Sequence, residues 1–311
     1  MTIKEVKLQR LTYLEDPLDF LKESKNIVLS MFIKFDYSLI IRVFDDIERL
    51  FSGKYPGYRQ CNTRYHDFNH TLHCFLLMAR LIHGAFINGI IFNENNVALG
   101  LISALMHDTG YIQLEGDITG TGGKYTLVHI DRSVEVMERY FHNNEFALRD
   151  YIFCRDCLKC TGINVKIKDI HFESHEHEIL GKILATADLI GQMADRHYLI
   201  KLPFLYEEFK EGGLSTFAGE LDLLKATPDF WKFTKQRFLT EYGNVDRYLR
   251  DHFRVRWGID RDLDREAIER NIKYLKFILD HYESDFRRYI SYEGIKKIIS
   301  EIRRIERGEK T

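Results

Sequence analysis

Proline is scarce in this chain. Four prolines in 311 residues leave few points at which a helix must stop. Leu, Ile, Lys, Glu and Arg are frequent, so the expectation is helix throughout. Long uncharged runs are also missing, and no stretch of about 18 apolar residues is offered to a bilayer. An excess of either charge is absent. The formal net charge of −2 gives no basic field for a nucleic-acid polymer. Five cysteines cannot all pair, which fits reduced thiols in a cytosol. The opening Met1-Thr2-Ile3-Lys4-Glu5 carries no leader pattern, and the expected location is cytoplasmic. Internal repeats, low-complexity tracts and linkers are lacking too. These absences predict a single all-α domain over residues 1–311, long enough for a sizeable core.

What is present is an ordinary soluble composition, 45% hydrophobic and 30% charged. Residues 1 to about 55 read as an opening segment of helices, closed by the loop Ser52-Gly53-Lys54-Tyr55-Pro56-Gly57. The next helix is expected near Asp67, with His70, His73, Cys74, Leu77, Met78 and Leu81 along one side. The uncharged run Val97–Met106 reads as a buried helix that Gly110 ends. Residues 115–124 resemble a phosphate-cradling loop in composition only; without the Gly-Lys-Ser/Thr ending, a flexible loop is the better reading. Further helices are predicted from about Leu127 to Phe141 and from Phe146 to Leu158. One long helix is predicted from Glu173 to about Leu199. After Pro203 the chain reads as helical again, with an amphipathic segment from Arg261 to Tyr289.

Four stretches carry residue types suited to chemistry. In Tyr65-His66-Asp67-Phe68-Asn69-His70, the two histidines are four apart and share a helix face. His107-Asp108 ends the apolar run. His129 begins a helix. Asp188 interrupts the apolar centre of a helix, where a carboxylate is a poor helix former and costly to desolvate. Two His and two Asp from three helices can close a nitrogen–oxygen site around a divalent cation.

The order of these residues resembles the signature of the HD superfamily of metal-dependent phosphohydrolases. Tyr65-His66 to His70 is similar to the Tyr-His-Asn-x-x-His pattern of its cyclic-nucleotide phosphodiesterase (PDEase) branch, with Asp67 where that branch has Asn. Asp188-Leu189, then Glu208-Phe209 and Gly212, are similar to its Asp-Leu and Glu-Phe-x-x-Gly segments. The resemblance covers about residues 60–215, leaving 1–55 and 216–311 as flanking helices. It implies an HD/PDEase-like helical bundle with the metal site between core helices, and hydrolysis of a phosphoester by a metal-activated water. The substrate would be a small-molecule phosphoester, a nucleotide or cyclic nucleotide. His70, His107, Asp108 and Asp188 would hold the first ion (Mn, Mg, Zn, Fe or Ni), and Asp108 would bridge to a second if one binds. His66 would be the general acid. Asp67 would orient His66 or reach water at the second ion, and Asp67, Tyr111 and Gln192 are candidates for substrate contact. Tyr111 stands where the phosphodiesterases carry a second histidine; His129 is placed to supply the missing ligand. No membrane partner is expected, and a homo-oligomer is compatible with the chain.

Other features have plainer readings. Cys154, Cys157 and Cys160 fall on one helix face as small buried hydrophobes. His171, His175 and His177 read as a solvated helix start or a lid over the site, and His73 and His83 as packing or surface residues. Gln192 and Asp195 share the face of Asp188 and suit either substrate contacts or helix-to-helix bonds. The charges from Glu266 to Arg288 are a solvated face. Two other functions stay open: a degenerate HD module that binds a nucleotide and regulates a partner, and a di-iron oxygenase.

Overall fold

Asp67 sets where the central helix begins. Its carboxylate accepts the His70 amide at 2.9 Å, an N-cap that satisfies one orphan donor of the first turn. Helix α3 (Phe68–Ile87) then runs almost wholly through the core, from Leu72 to Ala85. The computed structural model that shows this describes residues 14–307. The part of the expected opening segment on residues 1–13, and the last four residues, lie outside it.

The chain is all-helical; among the described residues the only β pairing is one antiparallel bridge, Tyr58 with Leu114. Before α3 come α1 (Pro17–Met31) and α2 (Ser38–Phe51). After it come α4 (Glu94–Met106), α5 (His129–Asn143), α6 (Leu148–Lys159), α7 (His175–Ala194) and α8 (Tyr198–Glu211). The rest is α9 (Glu220–Thr240), α10 (Tyr248–Trp257), α11 (Leu263–Tyr282), the single turn α12 (Phe286–Tyr289) and α13 (Tyr292–Glu306). Helix α3 packs against α1, α4, α7 and α10, and α7 also touches α4, α6 and α11. Every residue of α4 from Val97 to Met106 is buried, as its lack of charge requires. Each large apolar side chain buried there is worth about 1.5–3 kcal/mol.

Several sequence expectations need correction. The helix foreseen from Glu173 to Leu199 is two. Asp195 leaves the helical region (ψ 132°), and its carboxylate accepts the His197 amide at 2.9 Å, so the side chain replaces a helical bond. Pro203 lies inside α8 instead of before it. The segment from Arg261 breaks at Tyr282. Residues 115–124 do form a loop, but a pinned one. Arg59 donates to Asp117 O at 2.6 Å, Lys124 pairs with the Asp117 carboxylate at 2.5 Å, and Gly122 N–H meets Asn62 Oδ1 at 2.9 Å. By length and hydropathy α3 is one helix that could cross a membrane, but 83% of that stretch is buried against its neighbours.

Cys154, Cys157 and Cys160 are all buried on α6, and burial pushes their thiols up, Cys154 to about 12. They are packing residues. His177 is buried too, its ring stacked on Phe153 at 4.2 Å with Nε2 3.0 Å from Phe153 O; His175 is exposed.

At the far end of α3, His83 Nδ1 meets His252 Nδ1 at 3.1 Å, both rings buried. Burial, then Arg256, holds His83 down at about 4; burial, then Arg80, holds His252 well below its ordinary value. Unfolded, both imidazoles take a proton near pH 6.5. Between about 6.5 and 4 the unfolded chain therefore binds more protons, and stability falls as pH falls. The unfolding free energy measured in denaturant at pH 7 and pH 5 should drop on acidification, and His252→Gln should flatten that drop.

Candidate metal centre

Two helix ends and the middle of a third helix bring the four acid–base residues together. His70 is in the first turn of α3. His107 caps the C-terminus of α4, and Asp108 follows it. Asp188 projects from the middle of α7. His70 Nε2 lies 3.2 Å from His107 Nε2, 3.2 Å from Asp108 Oδ2 and 3.1 Å from Asp188 Oδ1. His107 Nε2 lies 3.2 Å from Asp108 Oδ2 and 3.6 Å from Asp188 Oδ1. Ligands about 2.1 Å from one cation stand about 3.0 Å apart at right angles and about 3.4 Å apart at the tetrahedral angle. The five observed separations fall on that scale.

Bonding inside the cluster points the same way. Asp108 Oδ2 is buried and close to both imidazoles, yet accepts a hydrogen bond from neither. The oxygen therefore points between the two rings, whose Nε2 atoms are within hydrogen-bond reach of each other. His107 Nδ1 donates to Ala104 O at 2.8 Å, which leaves the Nε2 lone pair for the cluster, the tautomer a metal-binding histidine needs. His70 Nδ1 has no partner. Burial lowers the proton affinity of both rings, but the Asp108 and Asp188 carboxylates outweigh it. They push His70 up to about 9 and His107 well above its usual range. The carboxylates are in turn held well below theirs: burial opposes this, and His107 with His70 overcomes it. The tight group His70, His107 and Asp108 suits a metal ion, with Asp188 beside it.

His66 sits at the edge of this cluster, its ring 5.8 Å from that of His70. Its Nδ1 is 2.6 Å from Glu208 Oε2. Glu208 Oε1 accepts the amides of Arg64 at 2.9 Å and Tyr65 at 2.7 Å. One buried carboxylate from α8 thus fixes both the ring and the backbone that carries it. No role for Glu208 was drawn from the sequence; only its motif-like setting was visible. Glu208, not Asp67, holds the His66 ring, because Asp67 Oδ1 already meets His70 N–H and Lys201 Nζ at 3.0 Å.

Tyr111 is 2% exposed and lies against two imidazoles, His66 at 4.4 Å and His129 at 4.6 Å. Its ring therefore packs the site from within. His129 Nδ1 is 2.7 Å from Thr126 O, and its Nε2 stands 3.9 Å from Asp108 Oδ1, the oxygen turned away from the first cluster. Burial holds His129 below its ordinary value, against the pull of Asp108. Gln192 accepts the Tyr65 hydroxyl at 2.8 Å and lies within 3.5 Å of Asp188 Oδ1.

Gly110 is not the helix stop it resembles, since α4 ends at Met106. Its place is a close approach. A Cβ there would stand 1.9 Å from His129 O and 2.7 Å from Ser133 N, both backbone atoms. Ser133 Oγ accepts the Gly110 amide at 2.9 Å and donates to His107 O at 2.6 Å, riveting α5 to the turn. Gly110→Ala must push the start of α5 away. The expected cost is about 1–3 kcal/mol, read as a lower denaturation midpoint.

The family described as Npun_R2479-like matches residues 115–245. That span takes in His129, Asp188 and Glu208 and excludes His66, His70, His107 and Asp108. No curated protein and no solved structure matches the chain.

Proposed function

We propose that this protein is a metal-dependent phosphohydrolase of the HD type, related in layout to the cyclic-nucleotide phosphodiesterases and acting on a small phosphoester such as a nucleotide. One observation carries the reading: His70, His107, Asp108 and Asp188 converge as ligands while His66, backed by Glu208, waits beside them. A divalent cation held by those four supplies Lewis acidity toward phosphoryl oxygens and lowers the pKa of water.

The chain's own groups do the rest. Glu208 accepts the Nδ1–H hydrogen bond of His66, the proton staying on the ring, which leaves Nε2–H to protonate the departing oxygen. Asp108 divides its oxygens, Oδ2 toward the two imidazoles and Oδ1 toward His129, so a second ion would find these two ligands first. Tyr111 keeps His66 and His129 from turning. Gln192 and Tyr65 steady Asp188.

The test is metal analysis of the purified protein, followed by a panel of nitrophenyl phosphates, nucleotides and cyclic nucleotides with Mn, Mg, Zn, Fe or Ni. Turnover on at least one ester, lost on chelation and restored by the ion, is expected. A fully loaded protein that binds nucleotide and hydrolyses nothing would sink the enzyme and leave the regulatory module. Oxygen-dependent turnover with two irons per chain would favour the oxygenase.

A further inference from the structure

Helix α8 holds the segment 64–70 at two points. Glu208 is one, through the Arg64 and Tyr65 amides and the His66 ring. Lys201, seven residues earlier and therefore on the same side of the helix, is the other. Its Nζ lies 3.0 Å from Asp67 Oδ1, the oxygen that also accepts the His70 amide. The same ammonium stands 3.5 Å from Asp195 Oδ2.

Those two carboxylates have separate tasks in the backbone. Asp67 caps α3, whose first turn carries His70. Asp195 closes α7, two turns beyond Asp188, and accepts the His197 amide. One ammonium therefore ties the start of the helix that carries one candidate ligand to the end of the helix that carries another. The Lys201 side chain is 14% exposed and that of Asp195 5%, so water screens this pair weakly. Burying a lysine is costly unless partners compensate, and here the partners belong to two ligand-bearing helices. Without the ammonium, two carboxylates are left at the junction of those helices, and like charges in a poorly solvated place repel.

We infer that Lys201 is a positioning residue of the metal centre: by holding Asp67 and Asp195 together it sets the separation of His70 from Asp188, 3.1 Å between Nε2 and Oδ1. It acts on these ligands through the two helix termini. The inference rests on the metal-centre reading, but not on the reaction proposed for it.

Cobalt(II) titration of the dialysed protein tests it, because the visible absorption of bound cobalt reports ligand geometry without any turnover. The parent should bind Co2+ with a defined spectrum. Lys201→Met should bind it about 10- to 100-fold more weakly, the usual cost of losing a group that orients a ligand, and with shifted bands. Lys201→Met combined with Asp195→Asn removes the repulsion and keeps an acceptor for His197, so it should regain part of the loss. Asp264→Asn is the control for general loss of stability. It breaks another buried pair, with Arg80, ten residues further along α3 than His70. Its cobalt affinity and bands should match the parent's. Unchanged affinity and bands in Lys201→Met overturn the inference, and so does an equal loss in Asp264→Asn. A parent that takes up no cobalt overturns the metal reading itself, and this inference with it.

Discussion

On the phosphohydrolase reading, His66→Asn should keep the fold and the ion but lose about two to four orders of magnitude in turnover on esters with poor leaving groups, the usual worth of a general acid. The structure gives the reason for each half. His66 is not among the convergent ligands; its Nδ1 is spent on Glu208 and its ring on Tyr111. Removing it leaves His70, His107, Asp108 and Asp188 in place. A nitrophenolate leaves with little help from a proton, so its hydrolysis should fall much less. Equal losses on both kinds of ester would make His66 a ligand or a positioning group. Glu208→Gln should repeat the pattern more mildly. The amide still fills the space, but it cannot stabilise an imidazolium, so the loss should again track the leaving group. Steady-state rates on a leaving-group series, with metal content measured on the same samples, decide both.

Asp188→Ala is expected to abolish binding of the proposed ion. The variant strips one anionic ligand from a cluster whose two imidazoles are only 3.2 Å apart. Losing an outer partner of a metal ligand already costs about 10- to 100-fold in affinity. Losing a ligand, with its charge, should cost more. Parent protein at an ion concentration 100 times its Kd gains about 2.7 kcal/mol of stability, and the variant should gain none. Metal-dependent Tm shifts and metal content after dialysis measure this. His70→Ala should behave alike.

The same cluster would tie uptake of the proposed ion to pH. With His70 pushed up to about 9, protons and cation compete for one set of lone pairs. Ion uptake near neutral pH should release protons, and affinity should rise with pH. Without an ion the sign for stability is opposite. A histidine raised in the folded state stabilises fully below pH 6.5, and that share is lost as pH climbs through 9.

Local signals made much of the architecture legible. The cap at Asp67, the uncharged run ending at Met106 and the isolated carboxylate Asp188 each declare themselves within a few residues. The helical class and the gathering of His70, His107 and Asp108 follow from them. Features set by distant neighbours did not show. Gly110 looks like a helix stop because nothing nearby reveals His129 O lying against it. Glu208 is one acidic residue in a charged helix, and its partner is 142 residues away. The break at Asp195 lay hidden in a run of helix formers, although the Asp195-to-His197 bond that makes it is local. The loop at 115–124 was legible as a loop, but its anchors, Arg59, Asn62 and Glu211, come from elsewhere in the chain.

The span from His66 to Glu208 also orders events during synthesis. His70, His107 and Asp108 leave the ribosome well before Asp188, and the carboxylate that steers His66 comes later still. On the phosphohydrolase reading, all four candidate ligands are made before the residue that steers the proposed proton donor. Ion binding and proton delivery would then be successive milestones, the second reached only when α8 docks. A chain truncated between residues 188 and 208 would keep the four candidate ligands and lack the steering carboxylate.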